Sequence, residues 1–441
     1  MHNKIKKILI LQLILFWSSN SLLATSYGLH TSEQFQKTKD ATAQRIEPQT
    51  SSYNELMSLA NKALDKTYQA IPTLIAYQFY TSTDAEIDRS RRHHAYLAHD
   101  AGYTYALALA YKFTGDRKYA DKAIYFLSAW ASINKEYKGD NFEGDNTSNY
   151  KTPGYYNQTQ ADLNMATAGA GFIQGAILLK DYNNWSNVDK AVFSTWCTNV
   201  YRKATDEFFL KSAWTGGNVG VSARLGIIFH HAWQGYTDAL RNEDVTALKN
   251  MLDEQLRTLK YDPDHRALKN LPKGKYNIPH MLPIEVKRGT KGMWYTAWTL
   301  SSFTAAFEIL LNETGTNLFP YVNAHGSTIE DAIKQFFLLK DPADWPYWDG
   351  KDGVTGTAKP PTKGGWGGKM FAAMGMKYDR PEWTTYADSV ITVLPSTQIN
   401  WNLPTLFHPA SYNTQTQNND STIDKLVTGA FIIDPVSKKF Y

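Results

Sequence analysis

From Glu55 onward, apolar residues recur at helical spacing along most of the chain, and the sharpest instance lies between His99 and Trp130. Ala101, Tyr105, Leu109 and Ala110 form one apolar face; Tyr119, Ala123, Phe126, Leu127 and Trp130 form the next. Between them Thr114-Gly115-Asp116 breaks the pattern. Gly115 suits the left-handed stop of one helix, and Asp116 suits the cap of the following one. So short a turn predicts two antiparallel helices packed as neighbours. The same periodicity predicts helices at 55–70, 160–180, 187–209, 220–240, 244–259, 290–312, 328–339 and 382–393. Strand-like alternation is almost absent before residue 390. Paired helices, with neither a parallel-sheet signal nor a fixed-period repeat, predict an all-α fold: helical hairpins closed into a ring as one large domain.

Three long segments interrupt the helices. Residues 133–158 are rich in Asn, Gly and Tyr; 260–288 contain His265, His280 and a basic end; 340–369 contain Trp345, Tyr347, Trp348 and Trp366. Loops of this length in a compact domain build a site or cover one. Residues 25–52 are polar, rich in Thr, Gln and Ser, and are expected to be a loosely held N-terminal segment ahead of the main domain, 53–441.

Composition narrows the class. The 441 residues are 43% hydrophobic, with 28 Gly and 17 Pro, which excludes a disordered or collagen-like chain. Residues 1–24 have the layout of a secretory signal peptide: Lys4, Lys6 and Lys7, an apolar run from Ile8 to Trp17, then small and polar residues up to Ala24. That run is too short to span about 30 Å of hydrocarbon. A periplasmic or secreted location is therefore expected, with no membrane association once the signal is removed. Without those three lysines the formal charge falls from +4 to +1, which gives no support to nucleic-acid binding. Cys197 is the single cysteine and lies in an apolar stretch, so a buried thiol is expected, with no disulfide and no cysteine-based metal site. HExxH, GxSxG and phosphate-loop patterns are absent. No metal or cofactor is expected, and the chain is expected to be a monomer.

The stretch Leu282-Pro283-Ile284-Glu285-Val286-Lys287-Arg288-Gly289-Thr290-Lys291-Gly292-Met293-Trp294-Tyr295 concentrates candidate chemistry. On the helix that follows, Ala297, Leu300, Phe303, Phe307 and Leu310 form an apolar stripe, and Tyr295 falls off it. Arg288 and Tyr295 stand seven residues apart, so on one helix they would project in a similar direction about 10 Å apart. A structural Arg and a core Tyr with a wet hydroxyl would show the same spacing. Trp214-Thr215-Gly216-Gly217-Asn218 precedes another apolar helix; Asn218 is either an N-cap or a ligand contact. His230 and His231, inside that helix, read as structural. Arg92 and His94, in a basic cluster with Arg89, Arg91, His93 and His99, could meet acidic groups, and His280 is the histidine best placed before Arg288. Loop aromatics can stack on sugar faces, although helical cores also consume such rings. The candidate substrate-binding set is Arg92, His94, Tyr155, Gln158, Trp214, Lys291, Trp348 and Trp366.

Asp100-Ala101-Gly102 through Ala108-Leu109-Ala110-Tyr111-Lys112-Phe113-Thr114-Gly115-Asp116-Arg117-Lys118-Tyr119-Ala120, ending in Ala129-Trp130-Ala131, resembles the hairpin of (α/α)-barrel alginate lyases. Pro283–Tyr295 resembles their Pro-x-Glu-x-x-Arg-Gly segment, with an Arg and a catalytic Tyr seven residues apart. With the Asn218 region, the likeness spans roughly residues 55–312. It implies an (α/α) barrel (toroid), and a lyase that cleaves an acidic polysaccharide, alginate or glucuronan, by β-elimination. In such chemistry the uronate carboxylate is neutralised, a base takes the C5 proton and an acid protonates the departing O4. The resemblance gives Asn218 and Arg288 to the carboxylate, stabilising the enolate-like species. It gives Tyr295 the O4 proton, and the base role too if a nearby cation favours the phenolate of a group that ordinarily titrates near 10. In one departure, Val219 follows Asn218 where those enzymes carry His. The base is then another histidine, such as His280, or Tyr295 itself. Two other readings are a glycoside hydrolase on the same barrel, with Asp100, Asp162 and Glu285 as available carboxylates, and a non-catalytic exported glycan-binding protein.

Overall fold

The fold is described by a computed structural model, which covers residues 25–46, 49–76, 84–139, 165–205, 217–350, 356–359 and 370–383. The expected signal peptide, and most of the helix expected at 382–393, lie outside these residues.

The hairpin read from the sequence forms as expected. Helix α3 (Asp84–Thr114) packs against α4 (Arg117–Ile133). Gly115 takes φ 70°, and Asp116 caps α4 by accepting the Lys118 N–H. The apolar residues named for its two faces are all buried. Before this hairpin lie α1 (Ser32–Ala43) and α2 (Gln49–Leu64). After it come α5 (Ala170–Leu178), α6 (Asn187–Trp196), α7 (Gly217–Gln234) and α8 (Val245–Gln255). Then follow the short α9 (Pro283–Val286), the long α10 (Gly292–Thr314), α11 (Ile329–Leu338) and α12 (Met370–Lys377). The apolar periodicity does not predict α12. Helices α6 and α8 adjoin π-helical turns at Cys197–Arg202 and Ala239–Asp244. Strands are confined, among the described residues, to three two-stranded pieces: β1 (Ser26–Tyr27) with β2 (His30–Thr31), β3 (Thr73–Ala76) with β4 (Glu136–Gly139), and β5 (Arg257–Leu259) with β6 (Ile278–Met281). Helix pairs thus build a mostly helical, (α/α)-barrel-like domain around one core that runs from Leu29 to Trp383.

The segment 25–52 is not loosely held. Thr31 and Gln34 make a reciprocal capping box that starts α1, and Phe35 enters the core. Glu313, near the end of α10, accepts the Ser26 hydroxyl and the Gly28 N–H, both at 2.6 Å. Gln174 of α5 donates to the Tyr27 carbonyl at 2.8 Å. A buried amide and a carboxylate thus bond backbone groups that would otherwise lack partners.

Helix α10 is the element that positions the site. It carries no charged residue between Gly292 and Phe307, and every residue from Gly292 to Thr304 is buried. A helix apolar all round belongs in the interior. It packs along α7, with Ser222 and Ser302 hydroxyls 3.2 Å apart. Its N-terminus is fed by strand β6 (Ile278–Met281), which pairs antiparallel with β5 (Arg257–Leu259).

Candidate active site around Arg288 and Tyr295

The chain leaves β6 through Leu282, and Pro283 opens α9, where a missing N–H costs nothing. After Val286 it does not continue as a helix. Arg288 precedes Gly289, which has φ 60° and starts a tight turn over Gly289–Lys291 before α10 begins. Arg288 and Tyr295 therefore do not lie two turns apart on one helix, as the spacing suggested. The turn folds Arg288 back over the first turn of α10, and its guanidinium carbon lies 4.5 Å from the centroid of the Tyr295 ring. That is cation–π geometry, worth about 1 kcal/mol when partly exposed.

The face of Tyr295 also differs from the expectation. Lying off an apolar stripe does not expose it, because α10 has no solvent face here; the residue is 9% exposed. Its ring stacks beside Trp294 at 6.5 Å and tilts against Trp298 at 6.0 Å. Two indoles and one guanidinium fix its orientation, and Arg288 opens on a cavity of about 400 Å³ whose wall also carries Asp349 and Gly350.

Asn218 joins this centre through Glu285. It is the second residue of α7, inside the first turn, and the Glu285 carboxylate accepts its backbone N–H. A carboxylate supplied from another element thus satisfies a free donor at the helix N-terminus. The Thr299 hydroxyl lies 3.0 Å from the same Glu285 oxygen and 3.0 Å from the Tyr295 carbonyl oxygen. Burial pushes the Glu285 carboxyl above its ordinary range, against the Arg288 charge and the Asn218 and Thr299 bonds, which draw it down. Gly217 has φ 77°, and a Cβ there would run into the Glu285 carboxylate. Glu285, one of the carboxylates the sequence makes available for hydrolysis, is instead a buried brace between α7 and the Arg288 turn.

Lys291 is half-buried in the same turn, and burial together with the charges of Arg288 and Lys359 lowers its ammonium below the usual range. The other candidates are placed differently. His280, at φ 56°, sets Nδ1 2.8 Å from the Ser327 hydroxyl and acts electrostatically on Asp331, so its ring is turned to the start of α11. His94 is buried, and burial and His99 push it down to about 3, so it is neutral near pH 7 and brings no charge to an acidic sugar. Arg92, on the same helix, is exposed. Trp348 is a correction: its ring is wholly buried in the core, and it serves the site through its backbone, where its carbonyl accepts the Gly289 N–H at 2.8 Å. Tyr155, Gln158, Trp214 and Trp366 lie outside the described residues, as does Asp162. His231 is structural, as read: Nδ1 is 2.8 Å from Asp244 and Nε2 is 2.8 Å from Arg202. Asp100 accepts the Gln69 N–H and the Trp130 indole N–H, at 2.6 and 2.7 Å, on one oxygen.

This helical architecture is that of known alginate lyases. The chain is similar to an alginate lyase from Bacteroides ovatus, with 15% identity over 87% of this chain and 100% of that one and a TM-score of 0.57. It is also similar to alginate lyase A1-III from Sphingomonas species A1, with 12% identity over 89% and 98% and a TM-score of 0.53. A single-residue variant of A1-III complexed with a tetrasaccharide gives 14% identity over 89% and 96%, at 0.50. No curated protein matches the chain. The family model described as alginate lyase matches residues 40–257, a little under half of the chain, and together with these structural neighbours it supports an alginate lyase-like polysaccharide lyase. The matched stretch includes Asn218 and ends before Arg288 and Tyr295.

Proposed function

We propose that the protein cleaves a polymer of uronic acid, alginate (polymannuronate) or glucuronan, by β-elimination at Arg288 and Tyr295. The observation that carries this reading is the guanidinium held 4.5 Å over the tyrosine ring, with Arg288 itself in the wall of a cavity. A C5 proton beside an ionised carboxylate is hard to remove. A planar guanidinium that binds both carboxylate oxygens neutralises that charge and stabilises the enolate-like species as it forms. Tyr295 then takes the C5 proton, the C4–O4 bond breaks, and the same phenol returns its proton to O4. The sugar gains a C4–C5 double bond and Tyr295 returns to its starting state. The positive charge held against the ring is what a tyrosine acting as base needs nearby. The orientation of His280 toward Ser327 favours Tyr295 over His280 as that base. Asn218 completes the carboxylate pocket, held in place by Glu285.

That complex of a relative with a tetrasaccharide supports an oligosaccharide ligand. A periplasmic or secreted monomer, exported by residues 1–24, fits the same reading, because such polymers lie outside the inner membrane. Incubation with polymannuronate, polyguluronate and glucuronan, followed by ultraviolet absorbance of the new double bond, tests the reaction. Rising absorbance with at least one polymer is expected; hydrolysis without it would support the hydrolase alternative.

A further inference from the structure

The cavity beside Arg288 has cations that the elimination step does not use. Its wall includes Arg266, Asn270 and Lys287 together with Arg288 and Asp349. Arg266 and Asn270 come from the segment after β5, and Lys287 directly precedes Arg288. Three cationic side chains thus share about 400 Å³ with one carboxylate. Arg266 is held by Glu254, with Nε and Oε1 2.8 Å apart. Lys287 is half-buried, and the carboxylate that acts on it, Glu285, is already engaged by Asn218 and Thr299. Burial and the charges of Arg266 and Arg288 push the Lys287 ammonium below its usual range, an unfavourable situation that a bound anion relieves. The space far exceeds the roughly 30 Å³ share of one water and falls in the size range of pockets for small organic ligands, roughly 300–1,000 Å³.

We propose that this cavity is a second acidic-sugar subsite: Lys287 and Arg266 hold the carboxylate of the uronate next to the one on which Arg288 and Tyr295 act. Asn270 and Asp349 supply hydrogen-bonding groups for its hydroxyls, which a bare inorganic anion would not use. Arg288 lies between the two sugars and serves both. The site therefore selects polymers with acidic groups on consecutive units over those that alternate acidic and neutral sugars. This rests on the elimination reading for the identity of the first sugar.

Calorimetric titration of the full chain with trimers of mannuronate, guluronate and glucuronate tests the subsite separately from turnover. For the trimer the wild type binds, Lys287→Gln is expected to weaken affinity about tenfold, Lys287→Arg to restore most of it, and Asn270→Asp, which adds a negative charge at an exposed position, to weaken it as well. In turnover, Lys287→Gln is expected to raise KM more than it lowers kcat. Unchanged affinity in both Lys287→Gln and Asn270→Asp overturns the subsite, and so does a wild type that binds no trimer. If Lys287→Gln does not fold, Asn270→Asp alone decides. A protein that binds a trimer in a Lys287-dependent way yet cleaves no polymer keeps the subsite and loses the elimination reading.

Discussion

The Glu285 carboxylate accepts the backbone N–H of Asn218, 67 residues earlier in the chain, and this one bond joins the start of α7 to the turn that carries Arg288. The Thr299 hydroxyl, in contact with the same oxygen and with the Tyr295 carbonyl, extends the brace to α10. The groups proposed to meet a sugar carboxylate are thereby held by a carboxylate that never meets the sugar.

Glu285→Gln keeps an acceptor for both donors and is expected to change stability by about 1 kcal/mol or less, whereas Glu285→Ala strands a buried N–H and is expected to cost about 2–3 kcal/mol. Gly217→Ala combines a positive φ with a Cβ aimed at Glu285, and is expected to cost a similar amount. Urea melts of the three variants check this; an Ala variant at either position as stable as wild type would remove the brace.

Arg288→Ala is expected to lower kcat/KM on the cleaved polymer by about 10²-fold or more, with loss in both KM and kcat, since the same guanidinium binds the carboxylate and stabilises the developing charge. Arg288→Lys keeps the charge but loses the planar fork, so it should recover only part of that loss. Steady-state rates that match wild type for Arg288→Ala would contradict the assignment.

Much of the helical frame was legible because it is local. Gly115 and Asp116 stop and start helices with their own backbone and side chain, and the hairpin faces follow from spacing alone. The fold-back of Arg288 was not legible, because Gly289 is pinned by the carbonyl of Trp348, far along the chain. The loops are rich in aromatic residues, but composition does not say what the rings touch: Trp348 fills the core instead of facing a sugar. Arg92 and His94 looked like one basic cluster, yet two residues on a helix point about 200° apart, so one is exposed and the other buried. The Lys287 and Arg266 pairing needed two loops brought together, although the adjacent Lys287-Arg288 was visible as a basic end.

Burial raises the Asp100 carboxyl to about 6, despite its bonds from Gln69 and Trp130. A folded value above the unfolded one means that its contribution to stability is full below about pH 4 and is lost as pH rises through about 6. Asp100→Asn keeps one oxygen for both donors and has no charge to bury. Its stability relative to wild type is therefore expected to rise by about 2 kcal/mol between pH 4 and pH 7.5. A pH-independent difference in denaturant midpoints would refute this.

His280→Ala is expected to keep kcat within about threefold, because its ring is bonded at Ser327 rather than offered to a C5 proton. A loss of 10²-fold or more would return the base role to His280.

Tyr295 bears the central claim, that one phenol moves both protons of the elimination. The direct measurement is the rate of double-bond absorbance for Tyr295→Phe, taken alongside its affinity for a uronate trimer. The expected result is a rate at least 10³-fold below wild type with affinity within about threefold, since the ring and its contact with Arg288 remain. A Tyr295→Phe protein that eliminates at close to the wild-type rate would contradict the account.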